Sequence, residues 1–235
     1  MPEGQIIVTG GSRGIGAAIT AELSRRGFTV AALSRSGEAA QGYGIVCDMT
    51  DEAAVAAAIR SVAERGPIVG LVNNAGAQKA TPSAELSAAE FEATMRLNAT
   101  SVLVASREVY PHLKAAGGGL IVNVGSFFDK LGVSRNLAYC ASKAAIGAMT
   151  RCLAIEWARD NISVIDIAPG YIETDLNKEF LASEKIRGWL SKRIPVGRPG
   201  RTDEVARLVG VLFSERIDFL TGETIYIDGG QGMNH

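Results

Sequence analysis

The chain has 235 residues, of which 47% are hydrophobic and 21% charged, and this composition excludes an intrinsically disordered protein. Its 24 basic and 25 acidic residues nearly cancel, so no global positive charge favours nucleic-acid binding. No apolar run is long enough to cross a membrane, and three sparse cysteines provide neither a disulfide framework nor a metal site. We therefore expect a cytoplasmic protein that binds no metal, membrane or nucleic acid.

Strand-like apolar runs alternate with helical stretches along the whole chain. The predicted elements, in chain order, are strand 5–9, helix 14–26, strand 29–33, strand 44–47, helix 50–65, strand 68–73, helix 87–116, strand 120–124, helix 136–159, strand 162–168, helix 202–213 and strand 223–227. Thr50 is the expected N-cap of its helix, and Ser87 with Glu90 fits a capping box. The alternation predicts an α/β fold, a Rossmann-type doubly wound parallel sheet in three layers (α/β/α), as one domain over residues 1–235.

The segment 170–200 is the one long stretch outside this alternation. It follows the carboxyl end of the sixth strand, where open α/β sheets bind their ligands. We therefore predict a substrate lid there, with a surface insertion as the alternative.

A glycine-rich turn joins the first strand to the first helix, where Thr9–Gly16 reads TGGSRGIG. Glycines allow the backbone to approach a pyrophosphate, which the N-terminus of the helix then binds. A tight connection without a ligand is the simpler alternative, but the place of the turn after the first strand favours dinucleotide binding. The predicted contacts in this turn are Gly10, Ser12, Arg13, Gly14, Ile15 and Gly16.

The residues at the end of the second strand indicate which dinucleotide is bound. NAD-binding proteins carry an acidic residue about 20 positions after the glycine turn, where it binds the ribose hydroxyls. Here the sequence reads Leu33-Ser34-Arg35-Ser36, without a carboxylate. Arg35, helped by Arg13, is suited to pair with a 2′-phosphate, although both arginines also fit ordinary surface charges. We therefore predict NADP rather than NAD, with Ser34 and Arg35 as contacts.

Tyr139 and Lys143 are candidates for acid–base chemistry because a spacing of four residues places them on one face of a helix. A lysine cation beside a phenol lowers the pKa of the phenol from about 10 toward neutral. Such a tyrosine donates a proton to a carbonyl oxygen or removes one from an alcohol. Ser126, 13 residues before Tyr139, ends the fifth strand, where its hydroxyl is expected to hold the same oxygen.

Further short motifs follow the strands. They are Asn73-Asn74-Ala75-Gly76 after the fourth strand, Pro169-Gly170 with Ile172 and Thr174 after the sixth, and Asp228-Gly229-Gly230 after the last. With these motifs and the glycine turn, the chain resembles the short-chain dehydrogenase/reductase family from Thr9 to Gly230. The family's catalytic Asn, Ser, Tyr and Lys match Asn98, Ser126, Tyr139 and Lys143. The resemblance also implies cofactor contacts at Asp48, Met49, Asn74, Ala75, Gly76, Tyr139, Lys143, Pro169, Gly170, Ile172 and Thr174.

The resemblance implies a reaction in which NADPH delivers a hydride to a ketone carbon at the carboxyl edge of the sheet. Tyr139 then gives the oxygen its proton while Ser126 orients that oxygen. Lys143 binds the nicotinamide ribose, tunes Tyr139 and, with Asn98, relays the proton from water. One segment departs from the family pattern. The eight residues from Ser36 to Tyr43 cannot hold the usual helix, so we expect a more open or loop-covered adenosine end.

Aromatic and aliphatic residues near the catalytic positions suit an apolar or ring-bearing ketone. The predicted substrate contacts are Ser126, Phe127, Phe128, Tyr139 and Trp189, with Phe180, Leu181, Ile186 and Leu190 as further lid residues. The alternative is that the lid residues pack on one another. Helix 136–159 carries apolar residues on more than one face, so we expect a homotetramer, or at least a dimer, built on helices 87–116 and 136–159. The resemblance implies that these helices pair across a two-fold axis. The alternative is that the C-terminal segment covers this apolar surface within the monomer.

Two other functions remain open at this point. The chain is similar to the 3-oxoacyl-[acyl-carrier-protein] reductases of the family, and seven basic against two acidic residues in 178–201 suit an acidic partner. Lys178 matches one carrier contact, but 115–119, where the other would lie, has no cation. Reduction of a 3-oxoacyl thioester of acyl carrier protein or CoA is therefore the alternative. A non-catalytic nucleotide-sensing protein is less consistent with four filled catalytic positions.

Overall fold

A computed structural model describes residues 4–175 and 177–233, without the side chains of Phe180 and Ala182. The strands are β1 (Gln5–Thr9), β2 (Thr29–Ser34), β3 (Tyr43–Val46), β4 (Ile68–Asn73), β5 (Gly119–Val124), β6 (Ile162–Pro169), β7 (Ile172–Glu173), β8 (Gly200–Arg201) and β9 (Thr224–Ile227). Seven of them form a parallel sheet in the order β3-β2-β1-β4-β5-β6-β9, and β7 pairs with β8. The order reverses between β1 and β4, which places a ligand-binding crevice at their carboxyl ends.

Helices cover both faces of this sheet. They are α1 (Gly14–Arg25), α2 (Glu52–Ala63), α3 (Ala88–Met95), α4 (Ser101–Ala115), α5 (Leu137–Trp157), α6 (Lys178–Ala182), α7 (Glu184–Arg193) and α8 (Thr202–Glu215). One core joins the sheet to α2, α4 and α5 through residues such as Ile59, Val109 and Leu153. A second core joins it to α1 and α8 through residues such as Leu23 and Val209. The predicted doubly wound, three-layer sheet is confirmed.

The helix predicted over 87–116 is two helices joined by a π-helical turn, Arg96–Thr100. Ser87 caps α3, because its hydroxyl accepts a hydrogen bond from the Glu90 amide at 3.2 Å. The predicted capping box is half formed, since the Glu90 carboxylate accepts instead from the Thr81 hydroxyl at 3.0 Å. The apolar pattern continues through the turn, so the sequence pattern alone does not show the interruption. The turn brings Asn98 into the interior, where its side chain is buried.

The N-cap prediction for α2 was wrong by one residue. Asp51 caps this helix, since its carboxylate accepts hydrogen bonds from the amides of Ala53 and Ala54 at 2.9 and 3.1 Å. The Thr50 hydroxyl instead donates to the Asp48 carboxylate at 2.8 Å. Between β2 and β3, residues 35–42 form a loop without a helix, as predicted. Among the described helices, none has the length and apolar character required to cross a membrane.

Candidate active site

The glycine turn has the geometry of an anion cradle. Gly10 adopts a φ of +66°, and a Cβ at position 16 would lie 2.1 Å from the Gly10 carbonyl oxygen, so both positions require glycine. Within α1, no side chain caps the N-terminus and the first turn carries no acidic residue. The amide groups of this turn therefore face the crevice without a competing carboxylate, which fits a pyrophosphate.

Asn74 fastens the glycine turn to the end of β4. Its side-chain amide donates to the carbonyl oxygens of Thr9 and Gly10 at 3.0 and 3.2 Å. The backbone amides of Asn74 and Ala75 donate to the Thr9 hydroxyl at 3.0 and 3.1 Å. The structure thus brings the second predicted cofactor motif against the first.

The segment after β6 reaches the same place. The Gly170 amide donates to the Ile227 carbonyl oxygen at 3.0 Å, which directs the chain back over the sheet edge. The Thr174 methyl group then comes within 3.7 Å of the Cβ position of Gly14. Ile172 is buried, so its side chain packs in the core. Pro169–Thr174 therefore lies beside the predicted pyrophosphate site.

The predicted adenosine end of the cofactor site lies at the ends of β2 and β3. The Ser34 hydroxyl accepts a hydrogen bond from the Gly37 amide at 3.1 Å, so the loop after β2 turns back at once. Arg35 is exposed there. The Asp48 pKa is lowered mainly by hydrogen bonds from the Thr50 amide and hydroxyl, and further by the positive charge of Arg35. Met49, in contrast, is a core side chain and presents only its backbone to this region.

Tyr139 and Ser126 lie close together, since the Ser126 side chain lowers the pKa of the phenol. Burial nevertheless raises the pKa of Tyr139, and the effect of Ser126 opposes this only in part. The prediction that Lys143 lowers this pKa was wrong. The Lys143 amine lies 5.7 Å from the phenol ring centre and donates to the Val124 carbonyl oxygen at 2.7 Å. Burial lowers the pKa of Lys143 to about 8.

Asn98 links three segments of the site. Its side-chain oxygen accepts from the Ala77 amide at 2.9 Å, and its amide group donates to the Ala77 carbonyl and to the Ser142 hydroxyl at 2.9 and 3.1 Å. A Cβ at Gly76 would lie 3.2 Å from the Asn98 side-chain oxygen and 3.7 Å from the Lys143 amine. Gly76, Asn98 and Lys143 are therefore neighbours, as the family resemblance implies.

Aromatic side chains connect the phenol of Tyr139 to the predicted lid. The ring centre of Phe128 lies 5.8 Å from that of Tyr139, 4.7 Å from that of Phe127 and 6.2 Å from that of Tyr171. The ring centre of Tyr171 lies in turn 6.1 Å from that of Trp189. We call these five residues the aromatic wall. Sequence reasoning missed Tyr171, although an aromatic residue directly after Pro169-Gly170 was a usable signal.

The lid has its own small core as well. Leu181, Leu190 and Ile194 are buried together, and Tyr171 and Ile186 pack against them. The alternative that lid residues pack on one another is thus correct for part of the lid. Trp189 remains 40% exposed and available to a ligand. The Phe180 side chain and Leu176 lie outside the described residues.

Part of the basic charge of the lid is neutralised. The Arg198 guanidinium pairs with the Glu204 carboxylate at 2.9 Å, and the Arg201 guanidinium pairs with Asp203 at 2.9 Å. Arg193 stacks over the Trp189 ring at 4.7 Å. The lid is therefore a weaker docking surface for an acidic partner than its composition indicates.

Comparison with known proteins places these features in a family. Residues 10–232 match a family model described as enoyl-(acyl carrier protein) reductase. The 3-oxoacyl-[acyl-carrier-protein] reductase MabA of Mycobacterium tuberculosis is 34% identical over 232 residues, which cover 98% of this chain and 93% of that protein. The chain belongs to the short-chain dehydrogenase/reductase family. It is therefore an oxidoreductase acting on alcohol and ketone groups, and the nucleotide-sensing alternative receives no support.

Other members of the family differ in their named substrates. A cis-4-hydroxycyclohexanecarboxylate dehydrogenase of Sinomonas cyclohexanicum is 34% identical over 241 residues, covering 95% of this chain and 94% of that protein. The structure of a gluconate 5-dehydrogenase from Burkholderia cenocepacia J2315, in complex with NADP and tartrate, superposes with a TM-score of 0.93 at 32% identity. This superposition covers 100% of this chain and 97% of the gluconate 5-dehydrogenase chain. NADP in this relative agrees with the predicted cofactor, whereas the substrate varies within the family.

Proposed function

We propose that the protein is an NADP(H)-dependent oxidoreductase that interconverts a ketone and a secondary alcohol, and that its substrate is apolar or carries a ring. The aromatic wall supports this substrate class, because it extends from the phenol of Tyr139 to Trp189. Aromatic side chains around a few polar groups are typical of sites for apolar ligands. The relative named for a hydroxycyclohexanecarboxylate also favours a ring-bearing substrate.

The described residues suit NADPH as the reductant. The glycine turn offers uncapped amides to the pyrophosphate, while Arg35, exposed next to the buried Ser34, offers a cation to the 2′-phosphate. When bound, NADPH supplies the hydride. The structural relative that holds NADP supports the same choice.

Tyr139 acts in this proposal as the proton donor to the carbonyl oxygen. Its raised pKa keeps the phenol protonated before the reaction. The Ser126 side chain lies close enough to this phenol to lower its pKa, so we infer that it holds the oxygen that receives the proton. The Lys143 cation then stabilises the phenolate that remains after proton transfer. In alcohol oxidation, the same groups move the proton in the opposite direction.

Ketone-dependent oxidation of NADPH, followed by absorbance, tests the proposal. We expect the highest kcat/KM with cyclohexanone-type ketones, and lower values with a polyhydroxylated keto acid and with a 3-oxoacyl-CoA. The Tyr171→Ala variant should lower kcat/KM for the cyclic ketone by about tenfold or more, because it opens the aromatic wall. Phe219→Ala is the matched control, since this phenylalanine is fully exposed outside the wall. A preference for the polyhydroxylated substrate would overturn the proposed substrate class.

Reduction of a 3-oxoacyl thioester is the second candidate, favoured by the 34% identity to MabA. Lys178 and Lys185 are exposed on the lid and suit an acidic carrier. If this candidate is correct, 3-oxoacyl thioesters of acyl carrier protein should be better substrates than cyclic ketones. Lys178→Glu should then raise KM for the carrier-bound substrate and leave KM for the CoA thioester unchanged.

A further inference from the structure

Asp166 is a buried carboxylate close to the proposed catalytic residues, and the proposed reaction gives it no role. Within the described ranges, Lys143 and Asp166 are the two charged side chains that are buried. Asp166 lies on β6, next to β5, and none of its surface is accessible to solvent. A carboxylate in such a place has a large desolvation cost and needs specific partners.

One peptide group connects this carboxylate to the catalytic lysine. The carbonyl oxygen of the Val124–Gly125 peptide accepts a hydrogen bond from the Lys143 amine at 2.7 Å. The amide of the same peptide is shared between Asp166 Oδ1 at 2.9 Å and the Ile167 carbonyl oxygen at 2.8 Å. A cation on the oxygen side and an anion on the N–H side polarise the peptide in the same direction, so the two bonds strengthen each other. The next residue along the chain is Ser126.

The surroundings of Asp166 fit this arrangement closely. A Cβ at position 125 would lie 2.5 and 2.8 Å from the two Asp166 oxygens, so the carboxylate occupies space that only glycine leaves free. Its second oxygen, Oδ2, accepts a hydrogen bond from the Thr224 hydroxyl of β9 at 3.1 Å. The carboxylate is thereby held from two neighbouring strands.

Charged and titratable groups approach Asp166 from three elements. From α5, Lys143 stabilises the ionised carboxylate, and the Arg151 guanidinium lies near the Cβ position of Gly147, close to Thr224. From the turn after β5, Asp129 opposes ionisation. From β9, the phenol of Tyr226 is itself kept protonated in part by the charge of Asp166.

We propose that Asp166 is a positioning residue for the reaction. Acting through the Val124–Gly125 peptide, it holds the Lys143 amine and the backbone before Ser126 in place and keeps Lys143 charged at neutral pH. The inference rests on the proposed function, because it gives Lys143 and Ser126 their roles there.

The protonation equilibria agree with this role. Burial raises the pKa of Asp166 to about 6, and burial lowers that of Lys143 to about 8. Each group favours the charged form of the other. Both are therefore charged near pH 7, and removal of the carboxylate charge makes the Lys143 cation easier to deprotonate.

The Asp166→Asn variant tests the charge alone, because an asparagine oxygen still accepts from the Gly125 amide and the side-chain shape is unchanged. We expect the alkaline inflection of the kcat/KM profile for ketone reduction to move to lower pH by about one unit. Thr224→Val is the matched control, since it removes the other hydrogen bond and keeps the charge, so its inflection should remain at the wild-type pH. An unchanged inflection in Asp166→Asn, with or without a uniform loss of rate, would overturn the inference.

A second measurement separates this inference from the proposed function. The Lys143 amine can be titrated by NMR in protein with isotope-labelled lysine, and the Lys143→Arg variant identifies its signal. In the wild type, we expect the chemical shift of the Lys143 signal to change mainly near pH 8, with a smaller change near pH 6, where Asp166 titrates. The smaller change should be absent from Asp166→Asn, and its absence from the wild type would contradict the inference. This result requires no turnover, so an inactive wild type would overturn the proposed function only.

Discussion

The side-chain amine of Lys143 donates a hydrogen bond to the carbonyl oxygen of Val124 across 2.7 Å, at a place closed to solvent. Burial lowers the pKa of this amine to about 8, so the cation is lost as the pH rises through that value. Ketone reduction requires the cation beside the phenolate. We expect kcat/KM at saturating NADPH to fall by about tenfold per pH unit well above pH 8. A rate that stays constant to about pH 10 would contradict this assignment.

Replacement of Tyr139 by phenylalanine removes the proposed proton donor and keeps the ring. We expect turnover to fall by about 10²- to 10⁴-fold or more, because a positioned acid contributes about that factor. NADPH affinity, measured by fluorescence, should remain close to the wild-type value. Tyr110→Phe is the control, since the Tyr110 hydroxyl bonds to Asp160 and lies outside the site. Retention of most activity in Tyr139→Phe would show that another group donates the proton.

Reversal of the charge at Arg35 should change the cofactor preference. Arg35→Asp places a carboxylate where the 2′-phosphate is proposed to bind, so we expect NADPH affinity to fall by about tenfold or more. NADH affinity should change little or improve. Arg60→Asp, at an exposed position on α2, has the same change in net charge and should leave both dissociation constants unchanged. Tighter binding of NADH than NADPH by the wild type would refute the predicted preference.

Asp166→Asn should stabilise the fold at neutral and alkaline pH. The pKa of Asp166 is raised from 3.8 to about 6, so the folded protein binds this proton more tightly than the unfolded chain. That stabilisation is complete below about pH 4 and is lost as the pH rises through 6, which leaves the ionised group with a cost of about 3 kcal/mol. We expect the variant to raise the free energy of unfolding by about 1–3 kcal/mol at pH 8, and to give no gain near pH 4.

Asp160→Asn is the opposite case and serves as control. Hydrogen bonds from Tyr110 and Lys114 lower the pKa of Asp160, so its charge stabilises the folded state at neutral pH. Denaturant unfolding at several pH values measures both variants. A lower stability of Asp166→Asn at pH 8 would show that the ionised carboxylate is structurally favourable, contrary to this prediction.

Helices α4 and α5 are expected to form the contact between subunits. Ile155 on α5 is 81% exposed and Leu103 on α4 is 45% exposed, so both leave apolar surface uncovered in the single chain. We predict that the wild type is a homotetramer or a dimer and that the Ile155→Lys variant dissociates. Light scattering measures the mass of both. Val46→Lys, on the exposed edge strand β3, should leave the assembly intact. An active wild-type species with the mass of one chain would show the prediction to be wrong.

Much of the fold was predictable because the central strands of its sheet are buried on both faces. The strands predicted from apolar runs therefore have the same first and last residues as β1 and β4, which are Gln5–Thr9 and Ile68–Asn73. The places of the proposed catalytic residues in the fold were predictable for a related reason. Ser126 follows the end of a strand, and Tyr139 and Lys143 lie one helical turn apart, so local spacing suffices to place them.

Other features depend on contacts between distant segments, which local patterns do not encode. The pKa of Tyr139 is set by burial among other elements, so the sequence predicted the wrong direction. The role of Gly125 is understood only when Asp166, 41 residues later, is seen beside it. The lid helices α6 and α7 were not predicted, since their few buried leucines belong to a small local core.

The π-helical turn at Arg96–Thr100 has a consequence for insertions and deletions in this part of the chain. Such a turn contains one residue more than an α-helical turn in the same place. Deleting a single residue from it would give one continuous helix, but every side chain before the deletion would rotate by about 100° relative to those after it. Asn98 would then lose its hydrogen bonds to Ala77 and Ser142, or α4 would turn its apolar face away from the sheet. A point substitution in this segment alters only one side chain. A change in its length by even one residue would displace every side chain on one side of the turn, so the number of residues in the segment cannot vary.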